Sequence, residues 1–330
     1  MKYSFIVPVF NRPDEVDELL ESLCAQSVRD FECIVVEDGS SQPCEDVVAR
    51  YADRLPVRYY RKENGGPGPA RNYGAERARG EWLLILDSDI VLPPAYLEEV
   101  ERELRREDAD AFGGPDRAHP SFSPVQKAIS YAMTSFLTTG GIRGGGRARL
   151  DKFYPRSFNM GVRREVYAAL GGFAAMRFGE DIDLSTRILR GGYRCRLFPG
   201  AWVWHKRRTD LGKFFKQVHN SGIARIHLAL RHPGTLRPVH LLPSLFLLAS
   251  LTLLLGGLLC PLLWVPLALY ALLVLTDSTL RNRSLRVGLL SVPAAFTQLW
   301  GYGSGLLRAA VRRYLLRSGE FQAFETNFYE

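Results

Sequence analysis

The residues of this sequence best suited to chemistry are the two aspartates of Asp87-Ser88-Asp89. They directly follow the apolar run Trp82–Leu86, which predicts a buried β-strand. In an open α/β sheet the carboxyl ends of parallel strands face the ligand crevice. Two carboxylates at such an edge suit Mg²⁺ or Mn²⁺, and an ion held there can bind a diphosphate. In other proteins the same short motif is often a pair of solvated loop acids. The residues around the motif therefore determine whether a metal site is predicted.

Further polar residues follow other predicted strands. Asp38 ends the second strand, where it could accept a hydrogen bond from a nucleobase or ribose, or form a simple turn with the glycine after it. Pro8 and Asn11 end the first strand and can contact a base. Arg71 and Asn72 begin a helix entered through a glycine-rich loop, where free N–H groups and a guanidinium attract anions. Together they predict a nucleotide site beside the two aspartates.

A third group of candidates could take up a proton or complete a metal site. Glu180, Asp181 and Asp183 begin a predicted helix, and three acids in four positions exceed what helix capping needs. One of them could accept the proton of an incoming hydroxyl group. His205 ends a predicted strand, where it is either structural or a further ligand of the metal.

The elements that must position these residues alternate between strand and helix. Over residues 1–113 the pattern predicts strands at 3–9, 31–36, 57–61, 81–86 and 109–113, with helices at 14–25, 46–52, 69–78 and 94–105. This is typical of an α/β fold with a mostly parallel sheet flanked by helices. After residue 113 the alternation weakens, with strands predicted at 158–162, 193–198 and 201–204, helices at 165–170 and 182–189, and a mobile loop at 138–149.

Composition narrows the class of protein. The net charge of +8 is not accompanied by a nucleic-acid motif, so we expect no nucleic-acid partner. The five cysteines have neither metal-site nor redox-pair spacing, which predicts reduced thiols.

The C-terminal third contains 36 consecutive residues without a charge, at 241–276. One helix of that length would extend roughly 54 Å, whereas a bilayer core is about 30 Å thick, so two spans turning near Cys260-Pro261 are expected. A soluble helix pair is the alternative. The weaker stretch 287–307 predicts an interfacial or re-entrant segment, or a third span. Residues 211–230 predict a basic amphipathic helix at a membrane surface, or one that packs against a domain.

Five short motifs in order carry a resemblance: Pro8-Val9-Phe10-Asn11-Arg12, Glu37-Asp38-Gly39-Ser40, Arg71-Asn72, Leu86-Asp87-Ser88-Asp89 and Gly179-Glu180-Asp181-Ile182-Asp183. The sequence resembles the family 2 glycosyltransferases over about residues 1 to 210. The resemblance implies a GT-A fold, a nucleotide-diphospho-sugar donor, a divalent metal and inversion at the anomeric carbon. By the same resemblance Asp38 binds the nucleoside, Asp87 and Asp89 form the D-x-D pair with Asp89 on the metal, Asp181 is the general base, and His205 is a further ligand.

The resemblance sets the expected domains and location. We expect a catalytic domain over 1–210, with a donor half at 1–113 and an acceptor half at 114–210. An interface helix at 211–236 and a membrane region with a cytoplasmic tail at 237–330 would follow. Arginines flank the apolar segments, which by the positive-inside rule predicts the bacterial inner (cytoplasmic) membrane with the catalytic domain in the cytoplasm.

The expected reaction transfers one sugar to a hydroxyl of a membrane-anchored acceptor, such as a lipid-linked saccharide of exopolysaccharide, O-antigen or glycolipid synthesis. The Q-x-x-R-W motif of processive relatives is missing after the base, which argues against a polymerase. A polyprenyl-phosphate glycosyltransferase is the nearest alternative, although such enzymes need no base. A nucleotidyltransferase would carry a glycine-rich basic loop after the first strand, and a non-catalytic scaffold would have lost these acids.

Overall fold

The computed structural model describes residues 1–117, 119, 121–139, 153–176, 178–206 and 209–318. Their contacts divide the chain into two units. The described residues up to 117 and from 153 to 205 form the first unit, and those from 119 to 139 and from 206 to 318 form the second.

The described part of the chain forms ten strands and twelve α-helices. The strands are β1 (Tyr3–Val9), β2 (Phe31–Asp38), β3 (Val57–Lys62), β4 (Trp82–Leu86), β5 (Ile90–Val91), β6 (Ala111–Gly113), β7 (Asp116–Arg117), β8 (Asn159–Arg163), β9 (Cys195–Leu197) and β10 (Val203–His205). The helices are α1 (Pro13–Cys24), α2 (Glu45–Ala49), α3 (Pro67–Ala75), α4 (Tyr96–Arg106), α5 (Pro124–Thr134), α6 (Phe136–Thr139), α7 (Arg164–Ala169), α8 (Glu180–Arg190), α9 (Leu211–Arg231), α10 (Leu242–Gly256), α11 (Val265–Asn282) and α12 (Leu285–Ala310).

The first unit is built on a seven-stranded sheet in the order β3-β2-β1-β4-β8-β6-β9. Strand β1 is parallel to both β2 and β4, whereas β8 is antiparallel to its neighbours β4 and β6. Alternate residues of β1 enter two cores: Phe5 and Val7 pack on one face of the sheet and Ile6 on the other. Burial on both faces explains why β1 is apolar along most of its length.

The order of the strands brings the predicted site residues to one edge. Val9 of β1 lies opposite Glu37 of β2, and Ile6 lies opposite Ile85 of β4. The segments that follow these three parallel strands therefore leave the sheet together. The predicted α/β architecture is confirmed here, and the strands predicted up to residue 113 agree with β1, β2, β3, β4 and β6 to within two residues at each end.

A second sheet of three short strands, in the order β5-β10-β7, was not predicted. It pairs His205 with Ile90, the residue after Asp89, and pairs Val203 with Asp116. Because β5 and β7 have two residues each, they leave no periodic signal in the sequence. This small sheet carries His205 to the D-x-D motif.

The second unit contains α5, α6 and α9 to α12. Here the structure differs from the predicted division, because residues of the expected acceptor half form α5 and pack in a core with α9 and α12. A Ser123-Gln126 capping box begins α5 and is a sequence signal that was overlooked. The predicted loop at 138–149 lies outside the described residues from position 140 onward, as does the expected tail from 319 onward.

Two helical stretches of the second unit are long and apolar enough to cross a membrane: Pro238–Gly256, with mean hydropathy 2.0, and Pro261–Asn282, with mean hydropathy 1.6. Only 11% of each apolar window is buried within the protein, and their leucines are largely exposed. Exposed leucines on helices of this length are compatible with the two predicted membrane spans. Residues 287–307 lie within the continuous helix α12, which contains Pro293.

Candidate active site

Three predicted metal ligands meet at the edge of the large sheet. Asp87 and Asp89 follow β4, and His205 is the last residue of β10. One ligand atom from each residue lies within 4.8 Å of the other two. The Nε2 atom of His205 is 3.3 Å from Oδ1 of Asp89. Two carboxylates and one imidazole fit a divalent cation such as Mg²⁺ or Mn²⁺.

Asp116 supports this cluster and was missed in the sequence. Its Oδ2 atom lies 3.6 Å from Nδ1 of His205, on the side of the ring away from Asp89. The imidazole also stacks on Phe158, with ring centroids 5.1 Å apart. A carboxylate beside Nδ1 favours a proton there and leaves Nε2 available as a ligand. Only the pairing of β7 with β10 reveals this contact.

Two arginines pair with the D-x-D carboxylates. Nη1 of Arg12 lies 2.6 Å from Oδ2 of Asp89. Arg71 is 3% exposed and donates to Oδ1 of Asp87 at 2.8 Å and to Oε1 of Glu180 at 2.9 Å. Arg71 was predicted to attract anions, and in the structure its guanidinium links the metal-site acid to the acids of α8. Arg12 belongs to a quoted motif but was not singled out.

Asp181, the predicted base, is held at the start of α8. Its Oδ2 accepts a 2.5 Å hydrogen bond from Nε of Arg156, and its Oδ1 accepts from the backbone of Ile182 at 2.8 Å. Burial raises the pKa of Asp181, but the charge and hydrogen bond of Arg156, the charge of Arg71 and the backbone hydrogen bond of Ile182 together outweigh it, so the pKa lies below its usual value. Burial raises the pKa of Glu180 despite the opposing charge of Arg71. The surroundings of Asp181 therefore favour its charged form more than those of Glu180 do.

Asp38 is fully buried at the end of β2. Its carboxylate accepts from Lys62 at 2.6 Å, from the backbone of Gly65 at 3.0 Å and from the backbone of Gly66 at 2.7 Å. These bonds shape the loop before α3. A carboxylate offers about four lone-pair sites, so a further donor can still bind, and the contact of Asp38 with a nucleoside stays a prediction.

Asn11 ties two loops of this edge together. Its side-chain oxygen accepts from the hydroxyl of Ser41 at 3.1 Å and from the backbone of Gln42 at 2.9 Å. Its φ of 53° is a left-handed conformation that asparagine tolerates better than most residues. Pro8 is buried in β1 opposite Val36. The predicted contacts of Pro8 and Asn11 with a base are not tested by these bonds.

The side chains of Asn72 and Asp183 form hydrogen bonds within the protein. Asn72 exchanges two 2.8 Å hydrogen bonds with the backbone of Phe173, and Asp183 accepts from Arg187 at 2.8 Å. Arg187 in turn donates to the carbonyl of Gly172 at 2.7 Å. Both residues thus hold the turn at 171–173 in place. A positioning role is what the structure shows for them, and their predicted contacts with donor or acceptor stay predictions.

Comparison with known proteins gives this geometry a context. The model of the family described as glycosyl transferase family 2 matches residues 4–171. An uncharacterized glycosyltransferase of Haemophilus influenzae is 44% identical over 190 residues, covering 57% of this chain and 62% of that protein. The succinoglycan biosynthesis protein ExoO of Rhizobium meliloti is 26% identical over 236 residues, covering 66% and 64%. The chain thus spans less than two thirds of the length of these relatives.

Among solved structures, the mannosyltransferase PcManGT from Pyrobaculum calidifontis, in complex with GDP-Man and Mn²⁺, aligns with a TM-score of 0.64 at 21% identity. The alignment covers 91% of this chain and 87% of that one. At this identity the likeness concerns the fold, and it confirms the predicted GT-A-like class. The family match covers 168 of the 330 residues and includes the D-x-D motif. The chain belongs to glycosyl transferase family 2.

Proposed function

We propose that the chain is an inverting, metal-dependent glycosyltransferase that moves one sugar from a nucleotide-diphospho-sugar to a hydroxyl of a membrane-anchored acceptor. One observation carries this proposal: Arg71 links Asp87 of the metal-site cluster to Glu180, the residue beside the ionised Asp181. The proposed cation site and the proposed base are therefore joined through Arg71 and the sequence neighbours Glu180 and Asp181. Such a site can stabilise a leaving diphosphate and activate an acceptor at the same time.

On the donor side, Asp87, Asp89 and His205 would hold Mn²⁺ or Mg²⁺. When bound, that cation would offset the negative charge of the departing diphosphate. Asp38 lies at the same sheet edge, where a nucleoside can approach the carboxyl ends of the strands. Loop 64–66, which Asp38 holds, leads into α3, where the backbone N–H of Gly68 lies between two prolines that have none.

On the acceptor side, Asp181 would take the proton of the attacking hydroxyl. The acceptor oxygen forms a bond to the anomeric carbon as the bond from that carbon to the diphosphate oxygen breaks. One displacement of this kind inverts the anomeric configuration. A transfer to a polyprenyl phosphate would not need a base, so the buried, ionised Asp181 favours a hydroxyl acceptor.

The acceptor proposal rests on the second unit. Pro238–Gly256 and Pro261–Asn282 expose apolar side chains and have the length of membrane spans. The relative ExoO is named for succinoglycan biosynthesis, which supports a saccharide acceptor of the exopolysaccharide kind. We therefore place the protein in the bacterial inner membrane with its site in the cytoplasm, where a lipid-linked saccharide or glycolipid would be extended.

A donor screen tests the proposal. The detergent-solubilised protein is incubated with a panel of UDP-, GDP- and dTDP-sugars and MnCl₂, and release of the nucleoside diphosphate is measured. We expect one donor to be turned over, with loss of activity in EDTA and in Asp89→Ala. Asp53→Ala, which removes an exposed acid, is the matched control and should keep full activity. Equal turnover by Asp89→Ala and the wild type would contradict the proposed metal site.

A further inference from the structure

We propose that Arg12 is a displaceable counter-ion of Asp89, which a cation must displace in order to bind. The inference rests on the proposed metal site and adds a residue that competes with the metal. Its basis is the 2.6 Å contact between Nη1 of Arg12 and Oδ2 of Asp89, one of the three candidate ligands. The guanidinium thus holds one oxygen of the carboxylate whose other oxygen, Oδ1, faces His205, so a cation bound between Asp89 and His205 would lie beside it.

Arg12 differs from Arg71 in how firmly it is held. The side chain of Arg71 is 4% exposed and is bonded to two carboxylates. The side chain of Arg12 is 30% exposed, and Asp89 is 10% exposed. Arg12 is already partly hydrated, so its guanidinium can leave Asp89 and return to it with a smaller change in hydration than that of the buried Arg71. Of the two arginines that contact the D-x-D acids, Arg12 is therefore the easier one to displace.

Only the side chain of Arg12 would have to turn. Its backbone lies just before α1, where its carbonyl accepts from the N–H of Val16 at 3.1 Å and Pro13 begins the helix. The preceding residue, Asn11, is fixed to the loop at 41–42. The anchored backbone keeps the guanidinium near the sheet edge after it has left Asp89.

A guanidinium and a divalent cation on one carboxylate repel each other strongly, since little water separates them. The Arg12–Asp89 pair therefore lowers the affinity of the site for a cation that arrives alone. A guanidinium keeps its charge at every physiological pH, so protonation does not relieve this competition. In the absence of a cation the same pair stabilises a carboxylate that would otherwise be nearly buried without a counter-charge.

The test is direct titration of Mn²⁺ onto the purified full chain, followed by the electron paramagnetic resonance signal of free Mn²⁺. Arg12→Gln removes the competing charge, so we expect it to bind Mn²⁺ about tenfold or more tightly than the wild type. Arg12→Lys keeps a cation at this position and should stay within a few-fold of the wild type. Arg50→Gln removes an arginine from an exposed pair with Asp17 and controls for the change in net charge.

The outcomes separate this inference from the function on which it rests. Asp89→Ala should lose Mn²⁺ binding. If it does, while Arg12→Gln binds Mn²⁺ no more tightly than the wild type, the inference is overturned and the metal site stands. If none of the variants binds Mn²⁺, the inference and the metal dependence both fail. Thermal unfolding of each variant shows whether the fold is retained, and tighter binding by a folded Arg12→Gln supports the inference.

Discussion

At the residue scale, four acids of the candidate site are paired with three arginines. Arg12 contacts Asp89, Arg71 contacts both Asp87 and Glu180, and Arg156 contacts Asp181. An arginine beside a buried carboxylate favours its charged form, and for Asp181 the result is a pKa below its usual value. Substitutions in and around these pairs have separate expected effects.

Asp181→Asn should leave donor affinity nearly unchanged and lower kcat by about 10²- to 10⁴-fold, because the amide keeps the shape of the side chain but cannot accept the proton. Steady-state kinetics with the donor identified by the screen, together with donor binding at equilibrium, separate the two effects. Normal turnover would move the base to Glu180 or Asp183, or remove base catalysis from the account.

Removing Arg156 should change the pH dependence of the reaction. In the wild type, Arg156 contributes most of what holds the pKa of Asp181 below its usual value. In Arg156→Gln that contribution is lost while the effect of burial stays, so the pKa rises and kcat should begin to fall at a higher pH as the solution is acidified. The profile of kcat from pH 4 to 8 measures this shift. Arg54→Gln, at an exposed ion pair with Glu21, should keep the wild-type profile.

Asp116→Asn should weaken Mn²⁺ binding by about 10- to 100-fold, because His205 loses the carboxylate beside its Nδ1 atom. The change is opposite in sign to that expected for Arg12→Gln, and the same Mn²⁺ titration measures both. An unchanged Mn²⁺ affinity would mean that the stacking of Phe158 is enough to orient the ring of His205.

At the element scale, the alternating strands and helices of the first unit could be predicted from the sequence. Strands β1, β2 and β4 are largely apolar runs followed by polar residues, so both the centre of the sheet and the acids at its edge could be predicted. The small sheet could not, because β5 and β7 are too short for periodicity and pair residues far apart in the chain. Arg12, Asp116 and Arg156 were missed for the same reason, since each becomes recognisable only through its contact with a predicted site residue.

The pairing of α9 with α12 gives a prediction at this scale. A Cβ atom on Gly305 would lie 1.9 Å from the backbone oxygen of His219, and one on Gly222 would lie 2.1 Å from that of Tyr302. Backbone atoms cannot turn aside as a side chain can, so Gly305→Ala should force the helices apart and destabilise the protein by about 1–3 kcal/mol. Thermal unfolding in detergent measures the loss. Gly68→Ala, whose Cβ atom would meet its nearest neighbour at 3.5 Å, an ordinary van der Waals distance, should unfold close to the wild-type temperature.

At the scale of the whole molecule, one unit carries the candidate active site and the other exposes apolar helices. Arginines precede and follow the two candidate spans, which favours a hairpin with both ends in the cytoplasm. Cys260 lies exposed between the two spans. The hairpin places it on the outer side of the membrane.

Labelling of intact cells with a membrane-impermeant maleimide tests this topology. We expect Cys260 to be labelled, and the signal to disappear in Cys260→Ser. A cysteine introduced by Ser318→Cys in that background should react only after the cells are lysed. In the hairpin topology α12 does not cross the membrane, so position 318 lies on the cytoplasmic side. Labelling of Ser318→Cys in intact cells would instead indicate a third span through α12.

We propose that the site at Asp89 and Asp181 transfers sugar to a membrane-held hydroxyl. Incorporation of labelled sugar into membrane lipids measures this transfer. Membranes that contain the protein are supplied with the radiolabelled donor and Mn²⁺, and label is counted in the lipid extract before and after mild acid treatment. We predict incorporation that survives mild acid and is lost in Asp89→Ala and Asp181→Asn. Label that mild acid releases would show transfer to a phosphate, and equal incorporation by both variants would contradict the assignment of the site.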